Sequence, residues 1–307
     1  MIIENKINEI IDYKIRVNKN FVPRSANKML PPFFYSALFI GATGTGKTFK
    51  LVELLKLYEK YDILDSKGNK LNMRIVLFCT TANSKANAVY NVLHIPEEDI
   101  ILKYSDDKLE EKLNEVKEEQ QNIREYNLYI EAYKKFHKYD DVDVLTDDEL
   151  QLLDKYGMDE PFANYEQHSS KQKDLKRRPE KVYFFIFDDL LGTSAFKIRS
   201  ESKLNNLVTL CRHHSINLMF TTQYLTAIPP IIRNNVRLWV VFKFSNSERL
   251  LKHVYPEISN LVKEEKFLEL YEHATDNDHD ALIVINHNDM DKKIRIRKNW
   301  NHTIEYN

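Results

Sequence analysis

Gly41-Ala42-Thr43-Gly44-Thr45-Gly46-Lys47-Thr48 fits the phosphate-binding loop pattern G-x-x-x-x-G-K-[ST] at every position. Each position has a job. The glycines let the backbone curl so that its N–H groups point inward at phosphate oxygens. Lys47 is placed to reach the β- and γ-phosphates, and the Thr48 hydroxyl to ligate Mg²⁺. The chain holds only 6 glycines in 307 residues, and Gly41, Gly44 and Gly46 are half of them, so they stand where the backbone needs them. Immediately before the loop, Phe33–Ile40 is an apolar run of strand length. Immediately after it, Leu51, Leu54, Leu55 and Tyr58 recur at helical spacing. Strand, glycine loop, helix is the order that phosphate binding at a helix N-terminus requires.

Further along, apolar strand-like runs recur at Met73–Thr80, Ile100–Leu102, Val182–Phe187, Ile216–Thr221, Val236–Phe242 and Ala281–Ile285. Helical patterns at Leu204–Cys211 and Ser247–Leu251 stand between or after them. Apolar strands alternating with helices predict an α/β fold with a mostly parallel central sheet flanked by helices. Residues 1–32 carry Lys14, Arg16, Lys19, Arg24 and Lys28 before Pro31-Pro32, a basic N-terminal arm leading into a domain over 33–307. From Asp106 to about Lys138 the chain is highly charged. One face is apolar at Leu109, Leu113, Val116, Ile123, Ile130 and Tyr133, as in a long helix. Thr146-Asp147-Asp148-Glu149 has the form of a capping box. We read about 105–180 as a helical insertion ending in a basic loop, its charges a solvated face.

The 45 basic and 46 acidic residues give a net charge of −1, so nucleic-acid contact would need local clusters. Cys79 and Cys211 lie in apolar segments and fit buried thiols of a reducing compartment. No apolar run approaches a membrane span, and the N-terminus lacks a signal-peptide core. The expectation is a soluble intracellular protein.

Phosphate binding becomes hydrolysis only with an acidic element at the end of a neighbouring strand. Phe184-Phe185-Ile186-Phe187-Asp188-Asp189 supplies it. Asp188 is the Walker B candidate for Mg²⁺, and Asp189 the base that orients the attacking water. The bland reading of the pair is a strand-to-helix cap. The next buried strand ends in Thr221-Thr222-Gln223, where Gln223 would sense the γ-phosphate or position water. Arg212, in Cys211-Arg212-His213-His214, is either a helix C-terminal cation or an arginine finger for a neighbouring subunit. Arg233 and Arg237 are its rivals.

This ordered set, followed by Pro229–Asn235, resembles the poxvirus-type genome-packaging ATPases of the FtsK–HerA superfamily, over about 33–95 and 180–245. The resemblance implies a RecA-like P-loop NTPase that burns ATP with Mg²⁺ to move double-stranded DNA. It would work as a pentameric or hexameric ring beside capsid or portal vertex proteins, in a virion or a cytoplasmic viral factory. It maps the P-loop lysine and threonine, the Walker B acids, the strand-end glutamine and a trans-acting arginine onto Lys47, Thr48, Asp188, Asp189, Gln223 and Arg212. Relatives often carry Asp-Glu where this chain has Asp188-Asp189. Lys197, Arg199 and Lys203, on the segment leaving the acids, are the expected DNA contacts. The rival readings are a helicase-like or conjugative translocase, a small-molecule or nucleotide kinase, and a capsid component that binds nucleotide structurally.

Overall fold

Short apolar runs bounded by polar turns line up here as neighbours in one sheet. The computed structural model describes residues 22–80, 90–139, 141–158, 177–196, 202–244, 247–288 and 290–305. The strands are β1 (Arg24–Ser25), β2 (Ser36–Ile40), β3 (Ile63–Leu64), β4 (Lys70–Cys79), β5 (Ile100–Ile101) and β6 (Lys181–Asp188). They continue with β7 (Ile216–Thr222), β8 (Val236–Phe242), β9 (Ala281–Ile285), β10 (Ile296–Lys298) and β11 (His302–Thr303). The helices are α1 (Lys47–Lys60), α2 (Asp106–Tyr139), α3 (Asp147–Tyr156), α4 (Lys203–Leu210), α5 (Pro230–Arg233), α6 (Ser247–His253), α7 (Tyr255–Ile258) and α8 (Glu264–Ala274).

The sheet runs β1-β3-β4-β6-β7-β2-β8-β9-β10-β11, with β5 beside β4. A mostly parallel sheet was expected; the sheet is mixed. Parallel pairing joins β5, β4, β6, β7, β2 and β8. Both flanks are antiparallel, β1 and β3 on one side and β9, β10 and β11 on the other. The flanks connect differently. Parallel neighbours need a long crossover, whereas β3–β4 and β10–β11 are joined by short turns and β9–β10 by a loop over 286–295. The β3–β4 turn is held by Asp65, whose Oδ1 accepts from the N–H groups of Lys67 and Asn69 at 2.8 Å each.

The inner strands are unbroken apolar runs because both faces are covered. In β6, Tyr183, Phe185 and Phe187 face a core shared with α2, α4 and α8. Val182, Phe184 and Ile186 face the opposite core, against Leu51, Leu54, Leu55 and Tyr58 of α1. Cys79 and Cys211 are free and buried. The run Phe33–Ile40 forms a strand only from Ser36. Phe34 sits at φ 65, and its N–H donates to the buried Asn217 side chain at 2.6 Å.

The charged segment after Asp106 is one 34-residue helix, α2, and it belongs to two environments. Leu109 and Val116 pack into the sheet's core, so this half serves as the crossover between β5 and β6. Tyr129, Ile130 and Ala132 pack instead with Leu145 and Leu153 in a cluster of their own. There α3 starts with a capping box: Thr146 Oγ1 accepts from Glu149 N–H at 3.3 Å, and Glu149 Oε2 accepts from Thr146 N–H at 2.8 Å. Of the expected basic arm, residues 22–32 are described, and β1 is part of the sheet. The expected basic loop lies mostly outside the described residues.

Candidate functional site

All the parallel strands end at one edge. Cys79 pairs with Asp188, Phe187 with Phe220, and Ile40 with Thr222 and Val241. The glycine loop leaves β2 there. Gly41 donates to the Thr222 carbonyl at 3.3 Å. A Cβ on Gly41 would lie 2.6 Å from Phe242 Cβ and 2.8 Å from Thr45 Oγ1, so the neighbouring strand permits no side chain. Gly46, at φ 95, is the N-cap of α1 and gives no side-chain cap; the first turn holds no acid. The orphan N–H groups of that turn are thus left for an external anion.

Lys47 curls back over the loop, donating to the carbonyls of Gly41 and Ala42 at 2.8 Å each. Burial lowers its pKa, opposed by the charges of Asp189 and Asp188. Thr48 Oγ1 is 3.5 Å from Asp188 Oδ1. Asp188 ends β6, is buried, and accepts from Thr221 Oγ1 at 2.5 Å. Burial pushes its pKa up, against the hydroxyls of Thr221 and Tyr90 and the charge of Lys47. The same Thr221 oxygen accepts from Asp189 N–H at 3.0 Å. Asp189 adopts φ 49, a left-handed conformation that Asp tolerates better than most residues. Its carbonyl accepts from Thr80 Oγ1 at 3.1 Å. Its carboxylate oxygens each lie 3.4 Å from Gln223 Nε2. One edge therefore gathers an amine, two acids, an amide and an uncapped helix start.

The structure brings Gly41–Thr48, Asp188, Asp189 and Gln223 together. Arg212 stands elsewhere: it is exposed and precedes β7, at the opposite edge of the sheet. Arg233 and Arg237 lie at that same far edge, and Arg233 is tied to Glu257 at 3.2 Å. Lys203 begins α4 and pairs with Glu110 at 3.2 Å. Lys197 and Arg199 lie outside the described residues.

Sequence reading missed three groups at this edge. Thr221 is the hydroxyl that ties both acids, and the signal for it was a polar residue ending an apolar run. His279, at φ 67 before β9, has its Nδ1 3.4 Å from where a Gly46 Cβ would stand. Tyr90 is buried with its hydroxyl beside Asp188 and Thr48, yet without a hydrogen bond of ordinary geometry. Neither His279 nor Tyr90 carries a motif or a periodicity.

The donor set fits a magnesium nucleotide. Among the described residues no three His, Cys, Asp or Glu side chains converge on a metal position. One hydroxyl (Thr48) and one carboxylate (Asp188) are what Mg²⁺ takes from a protein when phosphates and waters complete its octahedron. The unpartnered Tyr90 hydroxyl at the same spot also fits a hydrated ion.

No family model matches the chain, and no curated protein matches it. Solved structures share a distant likeness. The genome packaging NTPase B204 from Sulfolobus turreted icosahedral virus 2, in complex with ATP-gammaS, is 12% identical with a TM-score of 0.43, over 87% of this chain and 97% of its own. EssC (ATPases 2 and 3) from Geobacillus thermodenitrificans is 15% identical with a TM-score of 0.44, over 83% and 38%. The pCW3 conjugation coupling protein TcpA is 13% identical with a TM-score of 0.38, over 82% and 58%. At such scores the geometry of the site carries the functional reading. No helix among the described residues is long and apolar enough to cross a membrane.

Proposed function

We propose that the chain is a Mg²⁺-dependent ATPase that moves double-stranded DNA as a ring of identical subunits, of the kind that fills viral capsids. The observation that carries the hydrolytic part is the single edge where Lys47, Thr48, Asp188, Asp189 and Gln223 meet. The DNA part rests on the ordered sequence resemblance through Arg212-His213-His214 and Thr221-Thr222-Gln223.

In this reading the N–H groups of the loop and of the first turn of α1 cradle the phosphates. Lys47 exchanges the Gly41 and Ala42 carbonyls for β- and γ-phosphate oxygens. Thr48 and Asp188 would hold Mg²⁺, and the ion would supply neutralisation of charge on the phosphate oxygens. Asp189 orients the attacking water and receives its proton, and the Gln223 amide holds that carboxylate in place. Burial lowers the Lys47 pKa, and the adjacent charges of Asp189 and Asp188 oppose that. Arg212 acts on a neighbour's site. Lys203, Lys197 and Arg199 contact DNA phosphates, and capsid or portal vertex proteins receive the ring.

The test is phosphate release with and without double-stranded DNA. DNA should stimulate release, the phosphate should appear on water alone, and Lys47→Ala should abolish turnover. A phosphorylated small-molecule product would replace this reading with a kinase. Turnover indifferent to DNA would remove the motor.

A further inference from the structure

We infer that the Tyr90 hydroxyl is a positioning group of the divalent-cation site, donating to Asp188 and accepting a hydrogen bond from a water on the ion. This rests on the ATPase reading above and deepens it. Tyr90 stands just before the short turn Asn91–Leu93, on the connection that leaves β4. Its ring is packed in the core between α1 and the sheet, so its position is fixed by burial. Its hydroxyl is enclosed and faces Asp188 and Thr48 without a hydrogen bond of ordinary geometry to either. Buried polar groups nearly always find partners, and an orphan in a native fold calls for an explanation.

The surroundings supply one. The groups against this hydroxyl are the Asp188 carboxylate, the Thr48 hydroxyl and the Cys79 thiol. Thr48 and Asp188 are the two side chains offered to the ion. Asp188 Oδ1 already accepts from Thr221, with Thr48 at 3.5 Å. The Thr48 hydroxyl lies at the long limit of a hydrogen bond to Asp188, so it leaves that carboxylate weakly held on this side. The Tyr90 O–H is the nearby donor that adds to it. The ion's waters in turn need acceptors, and the Tyr90 oxygen offers one. Groups that hold metal ligands and metal-bound waters in this way are what set affinity once the direct ligands are in place.

Tyr90→Phe removes the oxygen and keeps the ring. The full-length chain would be titrated with Mn²⁺ in the presence of a non-hydrolysable ATP analogue, free Mn²⁺ being read by electron paramagnetic resonance. Analogue binding in EDTA and the thermal midpoint would be measured alongside. The variant should bind Mn²⁺ on the order of 10-fold more weakly in the ternary complex. Its analogue affinity in EDTA should match wild type, and its midpoint should not fall. Mn²⁺ affinity equal to wild type overturns the inference. So does an equal loss of analogue binding in EDTA, which would make Tyr90 a packing residue of the loop. A wild-type chain that binds no analogue under either condition overturns the ATPase reading itself, and this inference with it.

Discussion

In the proposed site Asp188 answers two opposed demands: it would have to be ionised to hold a cation, and it is buried where ionisation is costly. Its pKa in the fold is raised, chiefly by burial. A carboxylate with a raised folded pKa gives its full stabilising contribution below its unfolded value. That contribution is lost as pH rises through the folded value. At neutral pH the charged form therefore weakens the fold, and the Thr221 hydrogen bond and Lys47 offset only part of that. Asp188→Asn keeps an oxygen for Thr221 and sheds the charge. It should abolish phosphate release and melt higher than wild type at pH 7.5. A gain of about 1 kcal/mol would appear as about 2–4 °C. The difference should shrink as pH falls toward the ordinary carboxylate range. A lower melting point at pH 7.5 would mean that attraction to Lys47 outweighs burial. Asp188 was legible because two acids ended an apolar strand in a chain with a P-loop. Tyr90 was not, because a lone aromatic in an irregular segment looks like any core residue.

Helix α2 shows what a single chain leaves hidden in an element. Its composition predicts a solvated, charged insertion, yet several of those charges face the sheet. Arg74 on β4 forks onto Asp99, with Nε 2.9 Å from Oδ2 and Nη2 2.8 Å from Oδ1. It also meets Glu115 and Glu119 of α2 at 3.1 Å each. Lys112 adds a contact to Asp99 at 3.4 Å, and Lys181 of β6 pairs with Glu119. These partners lie 25 to 45 residues from Arg74, so spacing along the helix does not reveal them. Strands buried on both faces were readable because most of their positions are apolar. The two-residue strands β1, β3 and β11 were not, since so short a strand has no period and exists only through its neighbour. Burial raises the Asp99 pKa, but Arg74 outweighs it and leaves the carboxyl below its usual range. Stability from a depressed carboxylate is present above its unfolded pKa and lost as pH falls through the folded one. Arg74→Ala, which leaves the buried Asp99 with the longer Lys112 contact alone, should cost about 3 kcal/mol at pH 7. The penalty should fade in denaturant titrations at progressively lower pH. Arg74→Lys should fall between, because it keeps the charge and loses the fork. A penalty independent of pH would assign the loss to packing of the Arg74 stem.

Over the whole molecule the parallel strands impose a polarity: nucleotide groups at their ends, Arg212 before their starts. The seven residues of β7 separate Thr222 from that far edge by about 23 Å, more than an arginine side chain spans. Arg212 therefore does not serve the phosphates of its own subunit. It is exposed, whereas its rival Arg233 is held by Glu257. A head-to-tail contact that sets one subunit's far edge beside the next one's nucleotide edge would use it, and such contacts form rings where the rotation between subunits closes. Lys47→Ala keeps Arg212 and loses its own site; Arg212→Ala keeps the site and loses the arginine. Each alone should be nearly inactive, and Arg212→Ala should still bind the ATP analogue as wild type does. At one-to-one mixing roughly one interface in four pairs an intact Lys47 site with an intact Arg212. Phosphate release from the mixture should then exceed the mean of the two variants several-fold. A mixture no better than that mean would confine Arg212 to its bland role beside the carbonyls that end α4, and the proposed ring would need another trans-acting cation.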